Sequence, residues 1–379
     1  MKAMGPLQGV KVIELAGIGP GPFSGMMLAD MGADVIVVDR ATDSNKIRLP
    51  DCNGRGKRSI ALNLKNAEGI ETLLKLVEQA DVLFEGFRPG VAEKLGVGPD
   101  ECLARNPKLV YGRMTGWGQH GPLAKTAGHD INYISLTGAL YAMGRADDKP
   151  VPPLNLVGDY GGGGMFLVTG ILAALYEVQR SGKGQVVDAA MTDGSAVLMA
   201  MFNSLHAMGM WSPKRGVNLL DTGAHFYETY ETRDGKYISI GSIEPQFYAL
   251  LIEKAQLDSE IFGDQNNPAK WPDMKGKLTD IFKTKTRDQW CELMEGSDVC
   301  FAPVLDFIEA QTHSHNVARN TYIEVDGMTQ PAPAPRFSRT ESQVKSGARA
   351  AGEDTNEVMG EWGFSEQQIT QLRDSGALS

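Results

Sequence analysis

Short strand patterns and helix patterns alternate along the N-terminal quarter of the chain, and this alternation restricts the fold more than any other feature. Each strand pattern is a run of aliphatic residues bounded by turn residues, and an amphipathic helix is predicted over Ala67–Gln79. Such alternation predicts a parallel sheet with helices on both faces, which is an α/β fold. The predicted strands are Val10–Leu15, Ala33–Asp39, Ile60–Leu64 and Asp81–Glu85.

The pattern changes after Val157, where Asp159 and Tyr160 precede four consecutive glycines. Residues 227–241 (YETYETRDGKYISIG) predict a hairpin that turns at Arg233–Asp234–Gly235. The other predicted elements are strands Lys108–Thr115 and Val186–Met191, helices Met165–Arg180, Gly194–Met210, Phe247–Ala255, Trp271–Phe282 and Asp288–Glu295, and a helical pair between Asn356 and Leu378.

Composition narrows the class of protein. The 379 residues allow two to three domains of about 150 residues. With a formal charge of −10, neither nucleic acid nor a membrane surface is an expected partner, because both are polyanions. The four cysteines are scattered without a CxxC spacing, so we expect no metal site and no disulfide framework. No signal peptide is visible and the apolar run Met165–Tyr176 is too short to span a bilayer, so we expect a cytoplasmic protein.

The turn after the first strand matches a dinucleotide-binding fingerprint only in part. Gly17 and Gly19 follow that strand, and Asp39 closes the next one near the spacing of a ribose-binding acid. Pro20 and Pro22 remove amide donors that a pyrophosphate at a helix N-terminus needs. A tight strand-to-helix turn is therefore the preferred interpretation, and an oxidoreductase is a distant alternative.

Basic residues gather near the ends of the second and third predicted strands. Arg40 closes one strand, and Arg55, Lys57 and Arg58 lie in the loop before the next. Arg offers a planar fork of donors to phosphate, and Lys offers a point charge. Loops and strand ends converge at the carboxyl edge of a parallel sheet, so these side chains are candidates to bind a ligand with several phosphates. A solvated loop is the equal alternative.

Three residues are candidates for acid–base chemistry: His129, Asp159 and Glu244. Gly128 would let a ligand approach the backbone beside His129. Asp159 stands before a glycine run that opens a long helix, where unpaired amides would stabilise an oxyanion. A lone His or Asp is more often structural than catalytic. The acid–base interpretation of these residues therefore depends on the sequence around them.

Long motifs resemble the family III CoA-transferase superfamily, from about Gly5 to Arg339. GHDINY and IEPQFY point within it to the α-methylacyl-CoA racemase branch. The other motifs that carry the resemblance are VKVIELAGIGPGPFSGMMLADMGADVIVVDR, NGRGKRSIALNLK, FRPGVAEKLG, AGHDINYISLTGAL, PPLNLVGDYGGGGMF and GKGQVVDAAMTDG.

The resemblance implies a large Rossmann-like α/β domain and a smaller αβ domain, joined by long linkers in a homodimer whose subunits interlock. Each active site would lie between the large domain of one subunit and the small domain of the other. The large domain would take 1–190 with C-terminal helices 341–379, the small domain would take 224–315, and the linkers would be 191–223 and 316–340.

The resemblance also implies a site for an acyl-CoA thioester. His129 and Asp159 would be the two catalytic bases, and Glu244 would be the acid that orients the histidine. Arg40 would meet the phosphates at the adenosine end of CoA, and Lys94 would contact the CoA phosphates. The remaining implied contacts are Leu62, Asn63, Leu64 and Lys65 for the adenine pocket and Gly128, Asp130, Ile131, Asn132 and Tyr133 for the pantetheine and thioester.

The implied reaction is epimerisation of 2-methylacyl-CoA thioesters, with CoA as part of the substrate and no separate cofactor. Inversion next to a thioester removes one C–H proton and returns a proton from the opposite face, so two bases must flank the carbon. Neutral His129 would take the proton of one epimer and ionised Asp159 that of the other. The enolate between the two steps would be held by amides at the start of the Asp159 helix.

Two other functions stay open. In a CoA-transferase of the same fold, Asp159 would attack the thioester and no second base would be needed, so His129 with Glu244 favours the racemase. A non-catalytic acyl-CoA-binding protein is the third interpretation. Five methionines either offer an adaptable surface to the acyl chain or pack in the dimer core. They are Met191, Met199, Met201, Met208 and Met210.

Overall fold

The computed structural model describes residues 5–43 and 51–379, and these residues contain a parallel sheet of six strands. The strands, in chain order, are β1 (Lys11–Leu15), β2 (Asp34–Arg40), β3 (Arg58–Leu62), β4 (Val82–Glu85), β5 (Val110–Thr115) and β6 (Gln185–Ala190). Their order in the sheet is β3-β2-β1-β4-β5-β6, and every neighbouring pair is parallel. The expected α/β fold is confirmed.

Two smaller sheets complete the strands of the described ranges. One is antiparallel and comprises β7 (Tyr227–Glu231), β8 (Tyr237–Gly241) and β9 (Phe301–Val304). The other is the two-stranded pair β10 (Tyr322–Val325) and β11 (Met328–Pro331). The hairpin predicted at Arg233–Asp234–Gly235 is confirmed, because β7 and β8 pair on either side of it.

Helices connect the strands and follow them. The α-helices in the described residues are α1 (Pro20–Asp30), α2 (Ala67–Val77), α3 (Val91–Lys94), α4 (Pro99–Arg105), α5 (Asp130–Leu136), α6 (Ala139–Ala142), α7 (Met165–Ser181), α8 (Met191–Leu198), α9 (Ala200–Ala207), α10 (Pro245–Ala255), α11 (Ser259–Phe262), α12 (Trp271–Phe282), α13 (Arg287–Met294), α14 (Phe307–Thr312), α15 (Ser314–Ala318), α16 (Thr355–Glu361) and α17 (Glu366–Asp374). A π-helix spans Leu156–Gly164, and short 3-10 helices span Ala41–Asp43 and Cys52–Gly54.

The chain divides into two compact units. The first contains the described residues of Met1–Thr137, Leu154–Leu198 and Asn320–Ser379, and the second contains Gly138–Pro153 and Met199–Arg319. Within the second unit, Arg145 forms an ion pair with the buried carboxylate of Glu228. That contact holds the short excursion Gly138–Pro153 against β7.

The core of the first unit lies on both faces of the parallel sheet. One face packs α2 with the C-terminal helices, and Trp362 is buried there with Ile13 and Leu83. The opposite face packs α1 and α7, which bury Leu28 and Leu167. The C-terminal helices therefore belong to the same core as the N-terminal strands.

The stretch Leu156–Ser181 is long and apolar enough to cross a membrane by length and composition. The expectation that its apolar run is too short is therefore wrong on length, because the π-helix extends α7 at its N-terminus. A helix in the core of a globular protein can have the same length and apolar composition. In this chain α7 buries Leu167 and Ile171 against the sheet. The stretch is weak evidence for a membrane segment.

One predicted helix differs from the structure. The sequence predicts a single helix over Gly194–Met210, whereas α8 begins at Met191 and a second helix, α9, begins at Ala200. The earlier start places Gly194 directly against the backbone of Gly162, where a Cβ would collide with the Gly162 carbonyl. This close packing between α8 and the π-helix joins residues far apart in the chain, so the local sequence pattern does not reveal it.

Candidate active site

A cavity of about 350 Å³ opens in the first unit at the carboxyl edge of the parallel sheet. Its walls include Gly19 after β1, Phe87 after β4 and Trp117 after β5. The strand order reverses between β1 and β4, and in open α/β sheets ligands bind at such a reversal. We call this space the His129 cavity.

His129 lines the cavity from the position immediately before α5. Its backbone is extended, and its N–H donates to the side-chain oxygen of Asn132 at 3.1 Å. The side chain is exposed, so the imidazole is available to a ligand while its backbone is tied to the helix start.

Asp159 lines the same cavity from the π-helix that precedes α7. π-Helical turns are rare in proteins, and many of those that occur lie at functional sites. The glycine run explains how this turn fits, because a Cβ on Gly162 would collide with Ser195 on α8. The Asp159 carboxylate lies close to the turn between β1 and α1, where a Cβ on Gly19 would lie 3.3 Å from it.

The surroundings of Asp159 favour its protonated form. Burial raises the pKa of this carboxyl group, and the negative charge of Asp130 raises it further. The side-chain amide of Asn155, which donates to Asp159 Oδ2 at 3.3 Å, and the nearby His129 act in the opposite direction. The net shift is upward, which suits a group that must both take and return a proton.

Asp130 acts on Asp159 from below the cavity surface. It is 6% exposed, and its Oδ2 accepts the backbone N–H of Asp159 at 2.7 Å. Its Oδ1 is buried and has no hydrogen-bond partner within residues 5–43 and 51–379. The Tyr160 N–H bonds to the Asn155 carbonyl at 3.3 Å. The expectation that amides at this helix start hold an enolate is therefore wrong for Asp159 and Tyr160, because these two amides are already bonded.

The other residues expected at the thioester divide into two groups. Gly128 and Tyr133 line the His129 cavity, and the Tyr133 hydroxyl donates to the Gly128 carbonyl. A Cβ on Gly128 would lie 2.9 Å from the Trp117 ring, so glycine allows the ring to pack there. Ile131 and Asn132 are exposed on α5 and do not line the cavity.

Sequence reasoning missed Arg88, which also lines the His129 cavity. It is the one Arg or Lys among the described lining residues, its side chain is exposed, and its charge acts to lower the pKa of Tyr133 against the effect of burial. The sequence did contain a signal for Arg88. It belongs to FRPG, which follows a predicted strand and so lies at the ligand-binding edge of the sheet.

A second cavity, of about 510 Å³, lies at the ends of β2 and β3 in the same unit. It gathers most of the residues expected to hold the adenosine end of CoA. Arg40 and Lys65 contribute exposed cations, and apolar walls come from side chains such as Leu15 and Val38. The expected residues that line it are Arg40, Leu62, Asn63, Leu64 and Lys65.

Two further expected site residues, Lys94 and Glu244, also line neither cavity. Lys94 ends α3 with an exposed side chain, and its neighbours Val91 and Leu95 line the second cavity. Glu244 is exposed immediately before α10, in the second unit.

The basic loop is not a phosphate site. Arg55 is 2% exposed and forms two bonds with Asp30, from Nη2 at 2.6 Å and from Nε at 3.1 Å. Lys57 is 3% exposed and pairs with the buried Glu14 at 2.6 Å. The expectation for Arg55, Lys57 and Arg58 is therefore wrong, and so is the alternative of a solvated loop for the first two.

Arg58 is also occupied. It bonds to Asp34 at 2.7 Å and to Glu361 on α16 at 2.6 Å. These three cations join the loop to neighbouring structure, and Arg40 is the member of the predicted basic cluster that lines the second cavity.

The methionines behave differently from one another. Met191 is 7% exposed and lines the His129 cavity, whereas Met201, Met208 and Met210 are exposed in the second unit.

In residues 5–43 and 51–379, no group of three or more His, Cys, Asp or Glu could hold a metal ion.

Comparisons with known proteins cover nearly the whole chain. The model of CoA-transferase family III matches residues 7–355. An alpha-methylacyl-CoA racemase from Mus musculus is 49% identical over 370 residues, covering 97% of this chain and 96% of the relative. The protein of that name from Homo sapiens is 44% identical over 370 residues, with the same coverage of 97% and 96%. The solved structure of a CAIB/BAIF family protein from Brucella suis has a TM-score of 0.80 at 29% identity, covering 95% of this chain and all of that one.

Proposed function

The chain belongs to CoA-transferase family III, and we propose that it interconverts the (R)- and (S)-epimers of 2-methylacyl-CoA thioesters. The observation that carries this proposal is that His129 and Asp159 line one cavity. Inversion at a carbon next to a thioester needs two proton-transferring groups. Relatives that are 49% and 44% identical and are named racemases support the same reaction.

The protons balance in both directions. For one epimer, neutral His129 takes the α-proton, and protonated Asp159 gives its own proton to the opposite face of the enolate. For the other epimer, ionised Asp159 takes the α-proton and protonated His129 returns one. The raised pKa of Asp159 favours the protonated form that the first direction needs. Arg88 supplies a positive charge at the cavity in which the enolate forms.

CoA enters as part of the substrate, and the reaction needs no separate cofactor. We assign the adenosine end to the second cavity, where Arg40 and Lys65 supply cations for phosphate and the apolar walls suit a base. Lys94, on the helix that forms one wall, is the proposed further contact to the CoA phosphates. The thioester then reaches the His129 cavity past Phe87, which lines both spaces.

We further propose that the working form is an interlocked homodimer, with 1–190 and 341–379 as the large domain, 224–315 as the small domain, and 191–223 and 316–340 as linkers. In this arrangement the Glu244 carboxylate of a second copy orients His129. Exposed apolar side chains support an interface, since Ile18 is 85% exposed and Phe307 is 86% exposed.

Proton NMR in deuterium oxide tests the reaction. A single (R)-2-methylacyl-CoA is incubated with the full chain and no acceptor acid. We expect the α-proton signal to disappear and the methyl doublet to collapse while the thioester stays intact. If bound substrate keeps its α-proton, the racemase proposal is wrong. Formation of a hydroxylamine-trappable acyl group on Asp159 would then establish the transferase alternative.

Matched variants test the two bases. His129→Ala and Asp159→Asn should each lower the exchange rate by about 100-fold or more, while binding of the CoA ester changes little. His120→Ala and Asp100→Asn are the controls, because both residues are exposed in the first unit and line neither described cavity. Loss of binding equal to the loss of exchange would contradict the assignment.

Co-expression tests the shared site. Chains with His129→Ala and chains with Glu244→Gln are inactive alone under this proposal. A mixed dimer would contain one site with neither substitution and should recover about half of the wild-type activity per mixed dimer, by simple site counting. Failure of the mixture to recover any exchange would contradict the contribution of Glu244 from a second copy.

A further inference from the structure

One segment, residues 86–95, forms a wall of both cavities. Gly86, Arg88 and Pro89 line the His129 cavity, and Val91 and Leu95 line the second cavity. Phe87 lines both of them. The position of this shared wall therefore sets the distance and direction between the two ends of any ligand that occupies both spaces.

A buried ion cluster lies beneath the shared wall. Glu85 and Arg113 are partners across β4 and β5 at the carboxyl ends of these strands. Arg113 Nε bonds to Glu85 Oε1 at 3.1 Å, and Arg113 Nη1 bonds to Glu93 Oε1 on α3 at 2.8 Å. One guanidinium thus joins the start of the wall to its helical part.

The second oxygen of Glu85 fixes the loop itself. Glu85 Oε2 accepts the backbone N–H of Phe87 at 2.5 Å. Glu85 is 1% exposed and Arg113 is 7% exposed, whereas the Glu93 side chain is 43% exposed. The cluster therefore holds Phe87 through its backbone and α3 through a carboxylate at the surface.

Stability alone is a weak reason for such a cluster. Taking charges out of water costs about as much as their attraction returns, so buried ion pairs are poor sources of stability. Here Arg113 Nη2 is in addition buried without a hydrogen-bond partner among the residues that the structure describes. The planar guanidinium of an arginine does fix the relative positions of the two carboxylates that it binds, because its N–H donors lie in one plane at set distances.

We infer that Arg113 is a positioning residue that, through Glu85 and Glu93, aligns the shared wall so that one CoA thioester spans both cavities. This inference rests on the proposed function. Arg113 itself lines neither described cavity, so it acts through Phe87, Arg88 and α3.

The test is the split between KM and kcat for α-proton exchange, together with the Kd of free CoA measured by dialysis. Glu93→Gln removes the charge of the exposed partner, and Arg113→Met removes the fork. We expect each to raise KM and the Kd of CoA by roughly tenfold, because small misplacements are costly for positioned ligands, with kcat within about threefold of wild type.

The matched control is Arg105→Met. Arg105 on α4 also joins two carboxylates, Glu71 at 2.5 Å and Glu78 at 3.0 Å, but lines neither cavity. Its KM should stay at the wild-type value. If Arg113→Met fails to fold, Glu93→Gln decides the question, since its side chain is at the surface.

The outcomes separate the inference from the proposed function. Wild-type KM and CoA affinity in Glu93→Gln, in a protein that exchanges the α-proton normally, would overturn the positioning role and leave the racemase proposal intact. If the wild-type chain neither binds CoA nor exchanges the proton, both fall together. A weakened CoA affinity in Glu93→Gln that Glu93→Asp partly restores would support the inference.

Discussion

Two sets of basic residues in the first unit look alike in sequence and have opposite environments. Arg55 and Lys57 are buried in ion pairs with Asp30 and Glu14. Arg40 and Lys65 are exposed and line a cavity. The difference comes from the acids that the fold places opposite each cation. A cluster of basic residues therefore indicates a ligand-binding site only where its side chains are not already paired with carboxylates.

The largest expected effect is on the buried set. Arg55→Met leaves the Asp30 carboxylate, which is 3% exposed, without its ion-pair partner. We expect the free energy of unfolding to fall by about 3–5 kcal/mol, measured by urea denaturation. CoA affinity of the folded protein should be unchanged. A stable variant with weakened CoA binding would place Arg55 among the ligand-binding cations instead.

Glu85 sharpens the comparison, because it is a buried acid that keeps its cation and is still disfavoured as an ion. Burial raises its pKa to about 7, against the opposing effects of the Phe87 N–H and Arg113. The folded chain holds this proton more tightly than the unfolded chain, whose value is near 4.5, so the stabilising contribution is complete below pH 4.5 and is lost as the pH rises to about 7.

Glu85→Gln should remove that part of the pH dependence. The slope that disappears is at most about 1.4 kcal/mol per pH unit, the value for one proton. Urea unfolding of wild type and variant across this pH window measures it. Identical slopes in both proteins would mean that another group carries the dependence.

The exposed set should show the reverse pattern. Arg40→Met is expected to change the free energy of unfolding by less than about 0.5 kcal/mol, as for most surface positions. The Kd of CoA should rise roughly tenfold, and its dependence on salt should weaken because a phosphate contact is lost. Equilibrium dialysis at two salt concentrations measures both. An unchanged Kd would remove Arg40 from the proposed adenosine site.

Asp130 gives the smallest and most specific effect. It is a buried acid whose charge raises the pKa of Asp159, so Asp130→Asn should lower that pKa. Proton abstraction by ionised Asp159 is lost as the pH falls through its pKa, and this acid limb should therefore move to lower pH. Exchange rates for both epimers against pH test this, and the limb should move for one epimer. An unmoved limb for both would exclude Asp159 as that base.

The sequence predicted elements well where local pattern and tertiary packing agree. The helix predicted at Trp271–Phe282 is α12 with the same bounds, and the hairpin around Gly235 is β7 and β8. The prediction was wrong over Gly194–Met210, where the structure has α8 and α9 in place of one helix. The local sequence pattern does not show that Gly162 and Gly194 pack directly against each other.

The site shows the same division. The motifs around His129 and Asp159 suggested a pair of bases, and the structure brings both side chains to one cavity. Arg88 and the Glu85–Arg113–Glu93 cluster were not singled out, because their meaning depends on which strand ends are neighbours. That neighbourhood follows from sheet order and is invisible along the chain.

The sequence by itself determined the strand–helix alternation, and with it the parallel sheet and the edge at which a ligand can bind. Those properties follow from side-chain period and turn residues, which are local. Only the tertiary structure decided which charges remain available there, since Arg55 meets Asp30 and Asp159 meets Asp130 across long stretches of chain. Charge availability depends on distance and burial, and both are set by packing.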